Sequence, residues 1–107
     1  MQAPLNTTLS ANGSTDWFTC QSGLLQVTLD ATDGNGFGSG NIVLEKKTAD
    51  GNAVSMAKDN AAITYTISQA VNLQVPQGSE WRATLAGSTS PTLYVTIEEI
   101  ADAPFRA

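Results

Sequence analysis

The residues of this chain that could do chemistry are few, and their spacing argues against most of it. Asp30, Asp33 and Asn35 lie two or three positions apart beside a glycine run, the composition of a calcium loop. A loop of the EF-hand type needs glycine at its sixth position and a carboxylate at its twelfth. Counted from Asp33, glycine falls correctly at Gly38, but the fifth and twelfth positions are Phe37 and Leu44. Solvated turn acids are the expectation. The run from Asp33 to Gly40 also lacks the Lys-Ser/Thr pair and the following helix of a phosphate loop. Glu98 and Glu99 are adjacent, and neighbours on a strand point to opposite faces, so they do not make a general acid/base pair. The chain has no histidine, which excludes Ser-His-Asp triads, histidine bases and His-ligated zinc. Cys20 is the single cysteine, so no internal disulfide and no multi-cysteine metal site can form. Beside Trp17 and Phe18 it reads as a buried free thiol. No catalytic constellation emerges, and no cofactor or metal is expected.

Composition narrows the classes further. Of 107 residues only 14% are charged, against about 25% in an ordinary domain. Ser, Thr, Asn and Gln fill the gap with 35 residues, giving a neutral-polar surface. Five basic against ten acidic residues leave a net charge of −5. Nucleic acid needs a basic footprint, and anionic membrane surfaces repel the same sign, so neither is an expected partner. The first twelve residues carry neither a cationic nor an apolar leader segment, so Sec-type export is not expected. The two Asn-X-Ser/Thr triplets, at Asn6 and Asn12, are then inert.

What must position any working residue is a set of short strands. Leu25, Val27, Leu29 and Ala31 alternate with Gln26, Thr28 and Asp30, the period of a half-buried strand. The same alternation marks Ile42/Leu44, Ile63/Tyr65/Ile67, Val71/Leu73/Val75, Trp81/Ala83/Leu85 and Leu93/Val95/Ile97. Asp16–Cys20 adds a short aromatic strand, Asp50-Gly51 a hairpin turn before another near 53–56, and 57–61 a polar connection. Glu45, Lys46 and Lys47 read as a charged, exposed strand edge. The expected fold is all-β, an antiparallel β-sandwich (jelly-roll or Ig-like) of seven to eight short strands. It occupies 15–100, with an extended N-terminal arm at 1–14 and a C-terminal tail at 101–107. Trp81 shares parity with Ala83 and Leu85 and reads as core, whereas Tyr94 lies on the opposite face from Leu93, Val95 and Ile97 and reads as a surface aromatic.

One order of motifs carries a resemblance. Asp16-Trp17 is followed by Gly23-Leu24-Leu25-Gln26-Val27, then by a glycine-rich turn into Gly40-Asn41-Ile42-Val43-Leu44-Glu45-Lys46. Asp50-Gly51, Gly78-Ser79-Glu80-Trp81-Arg82-Ala83-Thr84-Leu85 and Leu93-Tyr94-Val95-Thr96-Ile97 complete it. Over roughly 15–100 the chain resembles the small β-sandwich virion proteins of tailed bacteriophages. The resemblance implies a non-enzymatic structural role, above all a capsid decoration (cement) protein on the outside of the head, made in the host cytoplasm. Its partners would be the major capsid protein or other virion proteins and further copies of itself, a trimer being favoured. The expected contact residues are Leu5, Leu9 and Phe105 as apolar anchors of the two arms, with Arg106, Phe37 and Tyr94 beside them. Other readings stay open: a tail, fibre or neck component, a carbohydrate- or receptor-binding module stacking Phe37 or Tyr94 on sugar rings, and a glycosidase working with carboxylates alone.

Overall fold

Residues that alternate every two positions can bury one face only, and here two such faces close on each other. The structure, a computed structural model, describes residues 2–100. Its strands are β1 (Leu5–Leu9), β2 (Gly13–Ser14), β3 (Phe18–Cys20), β4 (Leu24–Asp30), β5 (Asn41–Lys47), β6 (Ala53–Ser55), β7 (Ala57–Lys58), β8 (Ala61–Ala62), β9 (Gln69–Gln74), β10 (Ser79–Ala86) and β11 (Leu93–Glu99). The chain is all-β, as expected. One antiparallel sheet has the order β1-β11-β4-β9, and the other β2-β10-β5-β6 with β3 also paired to β10. β7 and β8 form a separate two-residue hairpin.

Register keeps each face uniform across strands. In the first sheet Leu5, Ile97, Val27 and Val71 form one inward rung, and Thr7, Val95, Leu29 and Gln69 the next. In the second sheet Leu85 sits opposite Ile42, Ala83 opposite Leu44, and Trp81 opposite both Lys46 and Phe18. These inner faces make one core, with Phe18, Leu25, Leu29, Ile42, Leu44, Leu93 and Ile97 all but sealed from solvent. Each such side chain contributes about 1.5–3 kcal/mol of transfer free energy. Cys20 lies within the core as a free thiol, and Trp81 packs there as its parity predicts, its indole N–H donating to Ser79 Oγ at 2.9 Å.

Two hairpin turns follow from local chemistry. Thr48 and Asn52 close a three-residue loop in which Gly51 takes φ +85°, the position where Asp-Gly sequences place their glycine. Between β7 and β8, Asp59 and Asn60 both have positive φ, as a two-residue type I′ turn requires.

Three expectations need correction. The segment 1–14 is not a free arm through its described part. Leu5–Leu9 pairs along its whole length with β11, and Gly13–Ser14 pairs with β10. Leu9 is therefore a core residue and Leu5 packs against the core, so neither is an anchor held out to a partner. Removing residues 1–12 is expected to cost several kcal/mol and to abolish a sharp thermal transition, because it strips an edge strand and opens the core over Leu93. An unchanged melting curve would contradict that. Second, β5 is not an edge, because β10 pairs on one side and β6 on the other. Third, Ile63, Tyr65 and Ile67 do not form a strand. Tyr65 alone bridges to Ile42, with two 2.9 Å backbone bonds, because β6 already occupies the rest of that side of β5. Among the described residues the strands number eleven rather than seven to eight, five of them pieces of only two or three residues. The tail residues Phe105 and Arg106 lie outside the described residues.

Candidate partner-binding surfaces

Phe37 was expected to stand out from its loop, and it does the reverse. Three successive turns fold 33–40 over one end of the sandwich, with Gly36, Gly38 and Gly40 N–H donating to the carbonyls of Asp33, Asn35 and Phe37. Thr92 and Thr89 N–H then donate to the carbonyls of Gly36 and Gly38. So pinned, the loop drives the Phe37 ring into the core, where it is 7% exposed. Phe37 is a plug, not a stacking platform. A shallow cleft of about 510 Å³ remains between this loop and Thr66, Ile67 and Ser68.

Tyr94 does lie on the outer face of the first sheet, half-buried. Asp33 has the largest effect on its phenol, raising its pKa by charge, and burial, a hydrogen bond to Asp33 and the charge of Asp30 act in the same direction. Asp30 is itself held below the usual carboxylate range by hydrogen bonds from the Thr32 hydroxyl and N–H. Asp30, the last residue of β4, is thus satisfied locally. Around Tyr94 the face is built of Asn6, Thr8, Thr28, Thr96, Gln26 and Asn72, crossed by Thr96 Oγ1 to Asn6 Oδ1 and Gln26 Nε2 to Asn72 Oδ1, both 2.9 Å. The same face carries Asp30 and Glu98, opposite Tyr94 and Gln26, and its four strands carry no cation.

The outer face of the second sheet differs. Arg82 donates through Nε to Glu45 Oε1 at 2.8 Å, and its guanidinium stacks 4.5 Å from the Trp17 ring centre. Thr84 donates to the same carboxylate oxygen at 2.6 Å. Burial raises the Glu45 pKa, but these two hydrogen bonds and the Arg82 charge outweigh it and hold the carboxyl below its usual range. Lys47 lies 5.8 Å from the same ring and 3.8 Å from Glu80. Sequence spacing did not reveal this network, since Trp17, Glu45 and Arg82 are far apart in the chain. Arg82→Lys is expected to lose about 1–2 kcal/mol, because an ammonium cannot lie flat on the Trp17 ring while donating sideways to Glu45. A melting curve read by tryptophan fluorescence checks this, and an unchanged midpoint would contradict it.

A third surface is the open end of the second sheet's inner face. Trp81, Lys46 and Val54 form its last rung, and with Met56 they line a cleft of about 440 Å³. Lys46 makes no ion pair among the described residues.

Glu99 shares the inward parity of Leu93, Val95 and Ile97 and is nearly buried. Its oxygens accept the backbone N–H groups of Gln2, Gln21 and Ser22 at 2.5–2.7 Å. Burial raises its pKa, and the three N–H donors outweigh that and lower it. Glu99 is a structural clamp. The described residues contain no group of three or more carboxylate or thiol side chains placed to hold one metal ion.

None of the three surfaces, nor the core, identifies the chain by kinship. Comparison with protein-family models, with curated proteins and with solved structures finds no match to this sequence or fold.

Proposed function

We propose that this chain is a non-enzymatic structural subunit of a tailed-phage virion, a capsid decoration protein that covers and stabilises the head lattice. The observation that carries the reading is the outer face of the β1-β11-β4-β9 sheet. It is a field of Thr, Asn and Gln without a cation, in which Thr96 bonds to Asn6 and Gln26 to Asn72, and the charges its four strands turn outward are Asp30 and Glu98. Covering such a face costs little side-chain entropy and desolvates only two carboxylates, which a basic patch on the shell would pair, whereas a Lys- and Glu-studded face costs more of both. The order of motifs over 15–100 supports the same reading.

The contact surface differs from the one expected of terminal arms. Tyr94 and its Thr neighbours replace Leu9 and Phe37, which the core consumes, and Leu5, which packs against it. Particles assembled without the chain are the test. The proposal expects complete, DNA-filled heads that burst at lower temperature or osmotic stress than the wild type. Particles lacking tails or fibres would move the chain to the tail, and normal heads that fail to bind host glycans would favour the receptor-binding reading.

A further inference from the structure

The two edges of the first sheet are unusual in what they lack. Natural edge strands are blunted by shortness, lysine, proline or bulges. The second sheet follows that rule through length, since its edges are β6 with three residues and β2 and β3 with two and three. The first sheet does not. β1 (LNTTL) and β9 (QAVNLQ) run five and six residues with no charge, no proline and no glycine.

Their unused backbone groups can be assigned. Val75 N–H donates to the Gly23 carbonyl at 2.9 Å, and hydrogen-bonded pairs alternate along an antiparallel ladder. Val71 and Leu73 thus bond to β4, and Ala70, Asn72 and Gln74 turn their N–H and C=O groups to the open side. On the other side of β4, Ile100 N–H donates to the Leu24 carbonyl. The same alternation, carried across β11, aims the backbone of Asn6 and Thr8 away from the sheet. No described residue pairs with either row.

We infer that β9 of one copy pairs antiparallel with β1 of a second copy, so that the first sheet runs on from protomer to protomer. The β1-β11-β4-β9 order makes β1 and β9 run in opposite directions, so head-to-tail addition preserves the antiparallel ladder. The phase also matches. The open groups on β9 and on β1 both belong to residues whose side chains lie on the polar outer face, so Val71 and Leu73 meet Leu5 and Thr7 on the inner side. Val71, Leu73 and Leu5 are each only partly buried in the single protomer, and this pairing covers them. Charge selects these strands as well. Copies of net charge −5 repel one another, and β1 and β9 are the long edges where contact brings no two charges together. Ile67, 67% exposed just before β9, extends the contact.

The occupant is a second copy, and the interface is heterologous, which a pair of edge variants can prove. Asn72→Pro blocks β9 and Thr8→Pro blocks β1, in each case removing an N–H that no strand of the protomer uses. Asn72→Lys and Thr8→Lys serve the same purpose should either proline variant fail to fold. Sedimentation velocity on the purified full chain over a hundredfold concentration range gives the readout. Wild type is expected to self-associate with rising concentration, and each variant at least tenfold more weakly. An equimolar mixture of the two variants should form one-to-one dimers and nothing larger, since one intact β9 meets one intact β1. A monomeric wild type, or a mixture without dimers, overturns the inference. Dimers of the Thr8 variant alone would overturn it too, showing β9 paired with β9. The experiment uses no virion, so its outcome is independent of the decoration reading.

Discussion

Replacing Glu99 with alanine is expected to lower the unfolding free energy by about 3 kcal/mol, a large loss for a domain of this size. Its carboxylate accepts backbone N–H groups from Gln2, Gln21 and Ser22. These belong to the start of the chain and to the corner where it leaves β3 for β4. Gln2 in turn accepts the Thr19 N–H through its side-chain oxygen at 3.0 Å, so one acid ties three segments together. Alanine leaves the three donors without a protein acceptor at a nearly buried site. The pH dependence follows from the lowered pKa. A depressed carboxylate stabilises the fold fully above the usual glutamate range, and that stabilisation disappears as pH falls through the lower folded-state value. Glu99→Gln keeps an acceptor but cannot titrate. Its stability should therefore fall less steeply than the wild type's below the ordinary glutamate pKa. Denaturant melts at a series of acidic pH values measure both effects, and parallel curves for wild type and the glutamine variant would contradict the clamp.

Gly38→Ala should be as damaging, by about 3–4 kcal/mol. Gly38 has φ +59°, where an L-residue costs about 1–2 kcal/mol. A Cβ there would also sit 2.5 Å from the Thr89 carbonyl oxygen and 3.0 Å from its nitrogen, both backbone atoms that cannot swing aside. Relieving that overlap moves the 88–92 loop or lifts 36–40 away from it, adding about 1–3 kcal/mol of packing strain. Lifting the loop withdraws Phe37 from the core. The variant is thus expected to melt earlier and to expose an aromatic ring, which dye binding would detect. Gly51→Ala is the control, because nothing lies within 4 Å of a Cβ there. Equal losses at the two positions would assign the whole cost to backbone strain.

Strands whose apolar residues alternate cleanly were legible in the sequence. Leu25/Val27/Leu29, Trp81/Ala83/Leu85 and Leu93/Val95/Ile97 all took the predicted face, and Cys20 and Trp81 went inside. β1 escaped because its rung reads Leu5, Thr7, Leu9, and a central threonine weakens the alternation below notice. Ile63/Tyr65/Ile67 has the stronger pattern yet forms no strand, since periodicity does not say whether a partner edge is vacant. Phe37 was misplaced for a related reason. A loop residue defaults to solvent unless the loop folds back over the sandwich end, and the contacts that achieve this come from Thr89 and Thr92, far along the chain. The Glu99 signal was present in its shared parity with Leu93, Val95 and Ile97. Only the three-dimensional arrangement supplies its donors. The Trp17–Arg82–Glu45 network had no local signature at all.

The decoration reading is tested most directly by counting. The proposal makes this chain a component of purified phage particles, in which quantitative mass spectrometry gives its copy number relative to the most abundant shell protein. A ratio of one to one, or a simple fraction such as one to two or one to three, is the predicted result. A handful to a few dozen copies per particle, or none, would contradict a lattice-covering role.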